Sequence, residues 1–300
     1  MSWPDVDAGS SRERTAQVVV FSAQQGRGLS FRQTATGIFT TAIQHRKLIL
    51  RLAKREILAR YKGSLLGVLW AILNPLLLLA VYTFVFSVVF HMRWGADAGG
   101  STGEFALLLF SGLILFNILA ECLIRAPGLM LENVSYIKKV LFPLEVLPYV
   151  QMAVALFGAA TSLVILAVFY PFVFGLPPVT VLLAPLVMVP LILLVMGLSW
   201  FLASVGVFLR DVRQIIGIFV TVTMFMSPIF YPAEAVPAGY RPLLQLGPLA
   251  IPLEAFKQTL FWGKMPDWRW LAIYGAGSFL VAMAGFWWFM RTRKAFADVV

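Results

Sequence analysis

Cysteine occurs once, at Cys122, and histidine twice, at His45 and His91. A single thiol excludes an intramolecular disulfide framework, and two distant imidazoles provide no Cys/His cluster for a metal. Carboxylates are scarce as well: 14 acidic residues stand against 24 lysines and arginines, and charged residues of both signs make up only 13% of the chain. They are scattered, and no nucleophile is framed by a base, so the pattern of a catalytic cleft is missing. The phosphate-binding pattern G-x-x-x-x-G-K-[ST] is missing too, because the only Gly-Lys pair, Gly263-Lys264, is followed by Met265. No short apolar segment follows Met1, so no cleavable signal peptide is expected and the first long apolar run is expected to direct insertion itself.

What the chain has in abundance is apolar surface: 60% of its 300 residues are hydrophobic and its mean hydropathy is +0.85. That composition reads as an integral membrane protein. Windows of about 19 residues predict an all-α polytopic protein with six transmembrane helices. They fall near Leu65 to Phe90, Phe105 to Ile124, Leu147 to Tyr170, Val179 to Leu209, Ile215 to Phe230 and Trp270 to Met290. The fifth is short. A net charge of +10 then reads as cytoplasmic loops beside anionic lipid, with no nucleic-acid partner. Placing both termini inside leaves only Arg93, Arg241, Lys257, Lys264 and Arg269 outside, so the positive-inside rule predicts cytoplasmic N- and C-termini.

Three regions follow: a cytoplasmic tail over 1–40, an amphipathic interface helix over 41–63, and a six-helix domain over 64–300. On a helical wheel Ile49, Leu50, Ala53, Ile57 and Tyr61 share one arc, while Lys47, Arg51, Lys54, Arg55 and Lys62 share another; Leu58 and Arg60 break the pattern. Such a helix is expected to lie along the cytoplasmic leaflet until Gly63 lets the chain turn into the bilayer. The next span contains Asn74-Pro75, whose proline leaves a carbonyl one turn earlier for a polar group or water. The outer segment from Tyr231 to Trp268 is too rich in proline for a span and too apolar for a solvated loop. Short re-entrant helices, their free backbone groups covered by neighbouring protein, satisfy both observations.

Several residues stand out within this frame. Tyr82, Phe86 and Phe90 recur at i, i+4, i+8, and Phe225, Phe230 and Tyr231 cluster at the end of the fifth span. Aromatic faces of this kind suit either a lipid-facing wall or a conduit for sugars. Glu121 and Arg125, at i, i+4, are expected to pair on one helix face, as a static boundary pair or as a gate. Asp211, flanked by Arg210 and Arg213, admits the same two readings.

The segments "RLAKREILARYKGSLLGVLWAILNPLLLLAVYTFVFSVVF", "ENVSYIKKVLFPLEVLP", "FLRDVRQII" and "MSPIFYP", in this order, resemble the membrane subunit of ABC-2 type polysaccharide exporters, which handle O-antigen, capsule and teichoic acid. The resemblance runs from about His45 to the C-terminus. It implies a homodimer bound to two cytoplasmic ABC ATPase subunits in the bacterial inner membrane, with ATP and Mg held by those partners, no cofactor or metal in this chain, and a lipid-linked polysaccharide as substrate. It also implies ATPase coupling through Arg51, Lys54 and Arg55 of the interface helix, through Glu132, Asn133, Tyr136 and Lys138 of the first inner loop, and through Asp211 of the second. The aromatic residues would line the channel, and Glu121 with Arg125 would form a gate. Two other readings stay open: an ABC-2 exporter of drugs or lipids, and a membrane-embedded glycosyl- or acyltransferase.

Overall fold

The computed structural model describes residues 31–91, 101–137, 142–232, 235–237 and 239–299, and every regular element among them is helical. Helices α1 (Phe31–Gln44) and α2 (Arg46–Tyr61) lead into α3 (Trp70–Thr83), which a 3-10 turn precedes and a π-helical turn (Phe84–Val89) follows. Then come α4 (Thr102–Arg125), a short α5 (Val134–Ile137), α6 (Val146–Phe174), α7 (Ala184–Phe208) and α8 (Val212–Met226). Two short helices, α9 (Arg241–Gln245) and α10 (Ala250–Phe261), precede α11 (Trp268–Thr292) and the terminal α12 (Phe296–Val299). Among the described residues five rods are long and apolar enough to cross a membrane: Gly67–Val89, Thr102–Gly128, Val146–Phe174, Val179–Phe208 and Trp268–Ala295. The chain is a multi-pass, all-helical membrane protein.

The fifth span is short, as expected, and its end comes four residues before Phe230. Helix α8 has 15 residues, a rise of about 22 Å against a hydrocarbon core of about 30 Å. It stops at Met226 because Pro228 disfavours helical backbone at Ser227, which turns to φ −90° and ψ 145°. The Ser227 hydroxyl donates to the Thr223 carbonyl at 2.7 Å, occupying one of the acceptors left at the helix end. Apolarity continues to Phe230, but the helix does not.

Helix α4 is the axis of the fold. Its most apolar stretch is 83% buried, whereas that of the Gly67–Val89 rod is 11% buried. Apolar residues on all its faces let it pack at once against α6, α7, α8 and α10. The tightest crossing joins α7 to α11. There a Cβ on Gly285 would overlap the Gly197 carbonyl oxygen, and one on Gly197 would stand 2.6 Å from Ala282 backbone. Small residues let the two backbones approach where lipid supplies no hydrophobic force between helices.

Helix α10 bears out the expectation of short helices covered by protein. The Tyr170 hydroxyl donates to the Leu260 carbonyl at 2.8 Å, Thr180 to Thr259 at 2.7 Å, and Tyr274 to Pro248 at 2.6 Å. Lys257, 2% exposed, reaches back to donate to the Pro228 carbonyl at 2.8 Å, bracing the turn that ends α8. These bonds answer backbone acceptors that hydrocarbon would leave bare.

The opposite, basic end departs from expectation. Ile49 and Ala53 of α2 bury themselves against Val146, Val150 and Val154 of α6, so the helix spends part of its apolar face on protein. Leu50, assigned to that face, is 66% exposed. The imperfect wheel at Leu58 and Arg60 reflects a helix with two protein neighbours in place of one flat membrane surface. Gly63 adopts φ +86°, as the turn into the first rod requires. Helix α1 begins inside the stretch assigned to the tail and is tied down where the Tyr149 hydroxyl donates to the Ile38 carbonyl at 2.6 Å. The rest of that tail, 1–30, lies outside the described residues, as do Lys138 and most of the first outer loop.

Gly285→Val is expected to lower the thermal unfolding midpoint in detergent by several degrees, because overpacking costs about 1–3 kcal/mol or more. Gly277→Ala, on the same helix with no atom within 4 Å of its added Cβ, should leave the midpoint unchanged or raise it slightly.

Candidate functional site

Six charged residues of the basic end, Glu56, Arg60, Glu121, Arg125, Glu132 and Arg213, form a network of ion pairs between elements. Glu121 and Arg125 do not pair with each other. Glu121 accepts from Arg60 of α2, and Arg125 pairs with Glu56 of α2 at 2.5 Å. The cause is geometric. Glu56 and Arg60 stand at i, i+4 on α2 as Glu121 and Arg125 do on α4, and the two helices run in opposite directions where they meet. The acid of each helix therefore faces the base of the other. A same-helix pair at this spacing contributes only about 0.2–0.5 kcal/mol, whereas cross-pairing gives each of the four charges an opposite partner on the other helix. At Arg60 burial by itself lowers the pKa, but the hydrogen bond and charge of Glu121 outweigh it and raise the guanidinium above its usual value.

The network continues into the loops at the same end. Arg125 also lies 3.9 Å from Glu132, which lies 3.8 Å from Arg213 at the start of α8. Arg213 can enter because Gly128 has no side chain; a Cβ there would overlap the guanidinium. The Arg55 guanidinium stands 6.0 Å from the Tyr136 ring centre, at the limit of cation–π attraction, and Tyr136 stacks on Phe142 at 4.3 Å. Asn133 donates to the Leu129 carbonyl at 2.9 Å and so ties the loop to the end of α4. Arg51, Lys54 and Asp211 are exposed, and Asp211 makes no ion pair among the described residues, since Arg213 turns toward Glu132.

The aromatic residues converge at the far half of the bundle. Phe230 stacks on Phe86 with centroids 4.6 Å apart, meets Tyr82 edge-on at 5.7 Å, and lies 6.0 Å from Phe225. Phe86 in turn lies 5.9 Å from Phe90. The π-helical turn carries Phe86, and Tyr231 donates its hydroxyl to the Phe225 carbonyl at 2.9 Å. Phe230 is 2% exposed, so within one subunit it anchors the cluster and does not line a surface. Phe90 and Phe225 are the exposed members, while Tyr82, Phe86 and Tyr231 are half-buried. Two segments far apart in sequence thus form one aromatic wall.

Sequence reasoning missed Glu56 and passed over Arg60 as a flaw in the wheel. The signal was the same spacing occurring twice, Glu56…Arg60 and Glu121…Arg125, each acid four residues before its base.

Long apolar helices around a buried axis, with ion pairs joining them at one end, define a polytopic all-α membrane protein. Residues 47–261 match the ABC-2 type transporter family, and the chain belongs to it. It is similar to the O-antigen export system permease protein RfbA of Myxococcus xanthus, 27% identical over 86% of this chain and 96% of that protein. It is also similar to the protein of the same name from Klebsiella pneumoniae, 24% identical over 84% of this chain and 95% of that one. The chain is accordingly a transport subunit.

Each cross-helix pair is partly exposed, so its expected contribution is about 0.5–1 kcal/mol. Arg60→Glu and Glu121→Arg should each lower the unfolding midpoint in detergent. The double exchange should restore most of the loss, read as a positive coupling in a double-mutant cycle.

Proposed function

We propose that this chain is the membrane subunit of an ATP-driven exporter that moves a lipid-linked polysaccharide from the cytoplasm across the bacterial inner membrane. Relatives named as O-antigen export permeases, aligned over more than four-fifths of the chain, support the substrate class. The observation that carries the reading is the aromatic wall built from Tyr82, Phe86, Phe90, Phe225, Phe230 and Tyr231. Flat apolar faces attract the C–H faces of sugar rings without the strong, directional bonds that would arrest a sliding polymer.

In this reading the subunit works as a homodimer with two cytoplasmic ABC ATPase subunits that bind ATP and Mg, and both termini are cytoplasmic. The sparsely buried Gly67–Val89 rod and the short α8 leave apolar faces for a second copy, and a conduit forms between the two. Arg51, Lys54 and Arg55 of α2, Glu132, Asn133, Tyr136 and Lys138 of the first inner loop, and Asp211 present the coupling surface to the ATPase. Motion arriving at α2 passes through Glu56 and Arg60 to α4, and through Glu132 and Arg213 to α8, with the Glu121 and Arg125 rungs acting as the latch. ATP drives export only insofar as it binds one arrangement of these contacts better than the other.

Depletion of the chain should leave lipid-linked polymer on the cytoplasmic side, and the purified protein should carry an ABC ATPase with it. Tyr82→Ala with Phe86→Ala should reduce surface polymer several-fold at unchanged membrane level. Normal export by that variant removes the aromatic wall from the mechanism, and retention of a drug or free lipid in place of polymer points to another substrate class.

A further inference from the structure

A cavity of about 400 Å³ lies between the first rod, α4 and α6, away from the aromatic wall. It begins at the Arg60–Glu121 pair and runs into the bilayer to Asn74 and Asn117. Each asparagine stands about two turns in from the basic end of its own span, roughly 10–12 Å by the helical rise. Both side chains are exposed to the cavity side, and neither hydrogen-bonds to another described residue. Carboxamides at this depth cost several kcal/mol if left bare, so water or a polar ligand in the cavity answers them.

The rest of the lining says which occupant. Thr161 and Ser162 give their hydroxyl hydrogens to the Gly158 carbonyl at 2.8 and 3.0 Å, leaving their oxygens as acceptors. Pro75 has no N–H to give the Ala71 carbonyl, and both residues line the cavity. Tyr61 and Trp70 supply aromatic surface. Among the described residues that line it, the charges are Arg60 and Glu121, which neutralise each other. A neutral ligand rich in groups that both donate and accept, with apolar ring faces, matches this set, and the volume lies within the range of small-molecule sites.

We propose that this cavity is a saccharide subsite, holding one or two sugar rings of the transported polymer beside the cytoplasmic entrance. The proposal rests on the polymer-export reading and adds a specific site to it. Its test places the photo-crosslinker p-benzoylphenylalanine at Leu78, which lines the cavity, and separately at Leu77, its comparably exposed neighbour outside the lining, in cells making the polymer. Irradiation should yield a glycan-bearing adduct from position 78 and not from position 77. Asn74→Leu with Asn117→Leu should reduce that adduct roughly tenfold or more, as expected for losing two polar contacts. Thr161→Val, an isosteric change, should reduce it less, and it supplies the comparison if the double variant fails to accumulate. A phospholipid adduct at 78 assigns the cavity to lipid, and an adduct between subunits assigns it to the second copy; either overturns the proposal. So does absence of a glycan adduct while surface polymer is normal, an outcome that leaves the export reading standing. Polymer export that persists without this chain sinks both.

Discussion

In hydrocarbon no water answers a bare peptide group or charge, and nearly every departure from a plain bundle here follows from that constraint. Where α8 stops short, the Ser227 hydroxyl and the Lys257 ammonium take up carbonyls at its end. Where α10 enters from the side, hydroxyls of Tyr170, Thr180 and Tyr274 reach carbonyls along and beside it. A 15-residue helix and a re-entrant pair are tolerated because protein stands in for solvent. The same demand makes α4 the axis, since a helix apolar on every side is most stable when enclosed.

At the basic end the constraint takes an electrostatic form. Four charges that would each be costly at the membrane boundary are arranged as two rungs between antiparallel helices. Each rung is partly exposed and contributes on the order of 0.5–1 kcal/mol, enough to align α2 on α4 and weak enough to exchange. A deeply buried pair would lock the two helices, because breaking it leaves an uncompensated charge costing several kcal/mol. Extension through Glu132 to Arg213 gives α2, α4, the first inner loop and α8 a common electrostatic junction. A displacement of one element changes the charge environment of the other three.

Much of this was legible along the chain. Five of six spans came from apolar windows, the interface helix from its two arcs, and the short outer helices from prolines set in apolar sequence. The aromatic positions were visible as well, because i, i+4, i+8 spacing is a local property. Where the reading failed, a partner distant in sequence intervened. The end of α8 moved because Pro228 outweighed continuing hydropathy, and Ile49 and Ala53 met α6 where lipid alone was expected.

Composition and periodicity by themselves determined that this protein lives in a membrane as a helical bundle, since burial of about 20 apolar residues per span is a sum over neighbours in sequence. The absence of a phosphate-binding loop was equally readable from the chain. Only the tertiary structure decided which charges meet. Glu121 and Arg125 sit at a spacing that permits pairing on one helix, yet the choice between that pair and Glu56 with Arg60 depends on the direction and depth of a second helix. That is set by the packing of Ile49 and Ala53 on α6 and by the turn at Gly63, neither of which is encoded in the local spacing.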